Sequence, residues 1–112
     1  MSTCFTVILP QPHMARGQDE PFSFHAHSPA TFADQLKVAL SDPAWFERWR
    51  TVQADPSSIQ PALAPCDPAV SVCARLDEPR IVLAVNTTLS SKVICHRMTL
   101  LAGHHWELHD VR

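Results

Sequence analysis

Glycine is nearly absent from this chain, which has two glycines and ten prolines among its 112 residues. The familiar loops that cradle phosphate groups need several glycines at fixed spacing, and neither Gly17 nor Gly103 lies in such a motif. Nucleotide binding through those loops is therefore excluded. Because proline fixes φ, we expect stiff connections with few left-handed turns.

Neither sign of charge is in large excess, since the formal net charge is −2. A duplex-binding protein normally carries a basic stripe, so nucleic acid is not an expected partner. No apolar run approaches the ~18 residues that cross a membrane. The apolar stretch near the start has no basic segment before it and no cleavage site of small residues after it. We therefore expect a soluble, cytoplasmic protein with no membrane association.

The four cysteines include no C-x-x-C pair, and in a reducing cytoplasm they are predicted to be free thiols. A disulfide between Cys66 and Cys73 is the alternative. Cys95 precedes His96, but neighbouring residues in a strand point to opposite faces, so this histidine is not expected to activate this thiol. No catalytic residue is assigned, and the sequence leans against an enzyme.

The first half of the chain predicts one strand followed by two helices. Residues 3–9 are rich in β-branched and aromatic types and stop at Pro10, as a strand does. Residues 10–21 predict a loop and 22–27 a short second strand. Ser28-Pro29 and Asp42-Pro43 each combine a capping side chain with proline at the first helical position, so two consecutive helices should begin there. A proline-rich connection follows over 54–68, with one helical turn after Asp55.

The second half predicts strands only. Residues 70–76 alternate between apolar and polar types, and 80–86 are apolar on both faces, as in a central strand. We assign 92–101 to a third strand, Ala102-Gly103 to a tight turn and 104–111 to a fourth. The predicted fold is a single α+β domain over residues 1–112. Its antiparallel sheet, a C-terminal four-strand meander plus the N-terminal strand, is packed on one face by two helices.

Histidine is in excess, with seven residues, and imidazole suits metals and proton transfer near neutral pH. A two-residue turn at Ala102-Gly103 would place His96 opposite His109, with His105 and Glu107 on the same face. Two or three imidazoles and a carboxylate in that arrangement could bind zinc or a similar divalent metal. The alternative is a polar sheet face with no cofactor, which we favour because the pattern matches no known zinc motif.

The apolar residues suggest protein binding. Trp45 and Trp49 share one helix face, either as core or as an exposed anchor for a partner. The predicted histidine face also carries Met98, Leu100 and other apolar side chains, too many for a solvated surface. We expect it to be covered by a second copy, a partner chain or the 10–27 segment, and a homodimer is the first choice.

Two functions remain open. One is a small soluble interaction or accessory protein that binds another protein through a sheet face or the tryptophan helix. The other is a metal-binding protein or small metal-dependent enzyme using His96, His105, Glu107 and His109. A ligand cleft between helices and sheet is a third option.

Overall fold

The computed structural model describes residues 2–112 and confirms the α+β class, with an antiparallel sheet packed by helices. No helix in the described part of the chain is long and apolar enough to cross a membrane. The elements in chain order are strand β1 (Thr3–Leu9), helices α1 (Pro29–Ser41) and α2 (Pro43–Thr51), strands β2 (Ser71–Asp77) and β3 (Arg80–Thr87), helix α3 (Ser91–Ala102) and strand β4 (Glu107–Val111).

The two predicted helix starts are confirmed by their caps. The Ser28 hydroxyl accepts a hydrogen bond from the Thr31 amide at 3.3 Å, and proline holds the first position of α1. Asp42 ends α1 and caps α2, because its carboxylate accepts from the Ala44 amide at 2.9 Å. Each cap satisfies an amide that has no partner within its helix, and Asp42 is the single residue between the two helices.

The C-terminal meander is wrong in one element: residues 91–102 form a helix and not a strand. Ser90 caps it by accepting from the Val93 amide at 3.4 Å. Its buried residues recur in pairs every four positions, which is a helical repeat; they are Val93, Ile94, Arg97, Met98, Leu101 and Ala102. The reversal after Ala102 is a helix end at Gly103, whose φ of 64° suits glycine.

This helix changes the sheet. With 91–102 outside it, the place between β3 and β4 is taken by β1, and the order is β2-β3-β1-β4, antiparallel throughout. The prediction that 80–86 form a central strand is confirmed. Residues 22–27 are not a strand, and a helical turn over Glu20–Phe22 includes the first of them. The turn predicted after Asp55 is present as Pro56–Ser58.

All three helices lie on one face of the sheet. The residues of β1 and β3 on that face join the side chains of α1, α2 and α3 in one buried cluster; the strand residues are Phe5, Val7, Leu9, Ile81, Leu83 and Val85. Ile8 and Val82, on the opposite face, are outside that cluster. Residues 2–112 therefore form a two-layer structure in which one sheet face is not packed against the three α-helices.

Two polar residues, Asp67 and Arg97, join the 52–70 connection to this core through hydrogen bonds. The Asp67 carboxylate accepts from the Thr87 hydroxyl at 2.7 Å and from the Ala69 amide at 3.0 Å, which joins the 52–70 connection to the end of β3. These hydrogen bonds, the one from Thr87 above all, lower the pKa of Asp67. Arg97 of α3 is fully buried and donates to carbonyl oxygens of Ala39 and Leu63, so α1, α3 and the connection meet at its guanidinium.

Candidate interaction surface

The four residues predicted as metal ligands do not come together. His96 lies on α3, whereas His109 lies on the edge strand β4, at an irregularity in its pairing with β1. The predicted pairing of these two histidines is therefore wrong, because it required residues 92–101 to be a strand. His105 and Glu107 do share a small depression of about 150 Å³ with His104. Among residues 2–112 the structure shows no group of three or more side chains placed to hold a metal ion.

His96 lies among aromatic side chains instead. Its ring meets the Trp49 ring edge-on, with centroids 4.9 Å apart, and the centroid of the Phe46 ring lies 6.1 Å away. Burial lowers the pKa of His96 to about 4, and the neighbouring positive charge of Arg97 acts in the same direction. A neutral imidazole is therefore part of the packing between α2 and α3.

The lowered pKa of His96 makes the stability of the fold sensitive to mild acid. The unfolded chain protonates His96 near pH 6.5, whereas the folded chain resists protonation until about pH 4. The unfolded state therefore binds more protons in that window, and the free energy of unfolding falls as pH drops through it. We expect His96→Gln to show a smaller fall between pH 6.5 and 4, measured by urea unfolding. Equal slopes for wild type and variant would contradict this environment of His96.

The residues predicted to bind a protein partner lie in the core. Trp45 and Trp49 of α2 and Met98 of α3 are all buried, and Leu100 is half-buried against the same core. Trp45 meets the Phe22 ring edge-on at 5.4 Å, so the 10–28 segment covers it. Trp45, Trp49 and Met98 are therefore core residues, which is the first of the two alternatives for the tryptophans, and Leu100 alone of the four keeps partial exposure.

The sheet face opposite the helices, which we call the open face, is the surface that we consider for a partner. Its side chains form cross-strand rows, because directly paired residues point to the same side. One row runs Arg75, Val82, Ile8, Glu107 from β2 to β4. The next runs Cys73, Ala84, Thr6, Asp110. This face could not be predicted from the sequence, because its rows depend on the order of the strands in the sheet.

The open face has an uncharged centre and a charged rim. The middle strands contribute Cys4, Thr6, Ile8, Val82 and Ala84, and Ile8 and Val82 are each only 6% exposed. Charged side chains stand on the outer strands and at the start of β3: Arg75, Asp77, Arg80, Glu107 and Asp110. Protein interfaces have this anatomy, with charge depleted in the middle and polar residues around it.

The rim charges differ in whether they are already paired. Arg80 contacts Asp77 at 2.5 Å, and Arg112 contacts Asp110 at 2.6 Å. Arg75 and Glu107 are exposed and take part in no ion pair within residues 2–112. These two opposite charges, at opposite ends of one row, are therefore available to a partner.

The chain was compared with protein-family models, with curated proteins and with solved structures, and it matches none of them.

Proposed function

We propose that this chain is a small interaction or accessory protein that acts by protein binding through its open face, first of all as a homodimer. The observation that carries the proposal is the uncharged centre and charged rim of that face. A closed two-fold contact uses one patch on both copies, so a single self-complementary face is sufficient for it.

The size of the face indicates a weak complex. Four strands about 4.8 Å apart and about seven residues long cover roughly 400 Å² per copy. Stable interfaces bury about 800 Å² per partner, so this face lies at the transient end of the range. Ile8 and Val82 are already shielded by their neighbours and add little apolar burial on association. We therefore expect dissociation constants of roughly 10–100 μM, that is, about −5.5 to −7 kcal/mol.

A charge placed in the centre of the face tests the proposal. Thr6 lies on β1 in the second row, and Thr6→Glu would press two carboxylates into a desolvated centre. We expect the variant to remain monomeric at concentrations where the wild-type chain dimerises, measured by sedimentation equilibrium.

Thr51→Glu is the matched control, because it makes the same substitution at an exposed site on α2, in the other layer. It should dimerise as the wild type does. Far-UV circular dichroism of all three proteins confirms that the fold is retained. Equal dimerisation of Thr6→Glu and wild type would remove the open face from the contact.

A further inference from the structure

We propose that two copies meet face to face about a two-fold axis parallel to the strands, with Arg75 of each copy opposite Glu107 of the other. The inference rests on the proposed function, because it specifies how the open face recognises a second copy. It depends on the registers of the four strands, which fix where each side chain stands across the sheet.

Each row has two residues on either side of the middle of the sheet, so a rotation about that middle exchanges its ends. The strand order β2-β3-β1-β4 puts the sheet's midline between β3 and β1. A two-fold axis along that midline brings each strand over its mirror position, so β2 faces β4 of the second copy and β3 faces β1. Rows keep their height along the strands under this rotation, and each row therefore faces its own reversed copy.

The reversed rows are complementary. In the first row, Arg75 faces Glu107 of the second copy at both ends, and Val82 faces Ile8 in the middle. In the second row, Ala84 faces Thr6, and Cys73 faces Asp110. Neither row sets like charges against each other, and face-to-face sheets pack with their strands within about 30° of parallel.

Other two-fold arrangements lack this match. An axis across the strands would keep β2 over β2, so Arg75 would face another residue of β2 instead of Glu107. The acidic residue of β2 on this face, Asp77, already contacts Arg80, and the second charge of β4, Asp110, has the same sign as Glu107. The arrangement along the strands is therefore the one that the charges favour.

The geometry predicts that two variants which dimerise weakly on their own form a heterodimer when they are mixed. In Arg75→Glu both cross-copy pairs become Glu against Glu, and in Glu107→Arg both become Arg against Arg. We expect each variant to dimerise at least about ten-fold more weakly than wild type at low ionic strength, since like charges in contact repel and exposed pairs contribute fractions of a kcal/mol each. In an equimolar mixture every pair is Glu against Arg, so a heterodimer should form at wild-type strength.

Sedimentation equilibrium measures the strength of dimerisation in five samples. They are the wild type, the two single variants, their equimolar mixture and the Arg75→Glu/Glu107→Arg double variant. The double variant should also dimerise at wild-type strength, and Lys37→Glu, an exposed site on α1, should have no effect. If the wild type dimerises but the single variants are not weakened, or do not recombine in the mixture, the two-fold arrangement is overturned while the proposed function stands. A wild type that stays monomeric overturns the proposed function itself.

Discussion

Replacing Arg97 by alanine is expected to lower the free energy of unfolding by about 3–5 kcal/mol, measured by urea denaturation. The side chain is 0% exposed and forms no ion pair with an acidic residue within residues 2–112. Its Nε donates to the Ala39 carbonyl at 3.0 Å, and its terminal nitrogens donate to Leu63 at 2.8 Å and Pro65 at 3.3 Å. Truncation removes these charge-assisted bonds and leaves a cavity at the junction of α1, α3 and the connection.

Packing adds to this effect, because the guanidinium carbon lies 4.3 Å from the centre of the Phe46 ring. Burial lowers the pKa of Arg97, which reports the cost of desolvating the charge, and the neighbouring Cys66 side chain acts in the opposite direction. Arg97→Met keeps most of the volume and should lose less stability than Arg97→Ala. Arg48→Ala, at an exposed position on α2, should change stability by no more than about 0.5 kcal/mol. A loss below about 1 kcal/mol for Arg97→Ala would contradict the assigned role.

Gly17→Ala is expected to cost roughly 1–3 kcal/mol, or more if the backbone cannot move. A Cβ at this position would lie 1.9 Å from the carbonyl oxygen of Leu100, which belongs to the backbone of α3. The segment cannot shift freely, because the Gly17 amide donates to the Ser23 hydroxyl at 2.8 Å and the Phe24 amide donates to Leu101 at 2.9 Å.

The control for this substitution is Gln18→Ala, one residue along and exposed, which should be close to neutral. Thermal unfolding of both variants gives the comparison. A Gly17→Ala variant as stable as wild type would show that the 16–24 segment does not pack against the end of α3 as described.

The N-terminal elements could be predicted because their signals are local. A β-branched run ending at Pro10 gives β1, and the capping residues Ser28 and Asp42 begin their helices where their side chains can accept backbone amides. The alternation of β2 and the two-sided apolar character of β3 likewise reflect positions within the sheet itself. None of these features depends on distant parts of the chain.

Helix α3 was missed although its pattern is legible. Apolar pairs recur at 93/94, 97/98 and 101/102, and only Arg97 interrupts them with a charge. The assignment of 92–101 to a strand continued the β pattern of the preceding segments, and the whole histidine cluster depended on it. A buried arginine bound to carbonyls from two other segments is a tertiary feature, so no local rule reveals it.

The open face could not be predicted for a related reason. Its rows join residues 4–8, 73–75, 82–86 and 107–110, and their order depends on β1 entering between β3 and β4. The prediction placed two helices on one face of the sheet and expected the other face to be covered by a second copy, a partner chain or the 10–27 segment. The side chains assigned to that face were wrong, because Ile94 and Met98 belong to α3 and lie in the core.

Sedimentation equilibrium of the unmodified chain from a few micromolar to several hundred micromolar tests the central claim most directly. If the open face binds a second copy, the average mass rises from that of one 12.5 kDa chain towards that of two, with half-association at roughly 10–100 μM. A mass that remains at one chain over the whole range would contradict it.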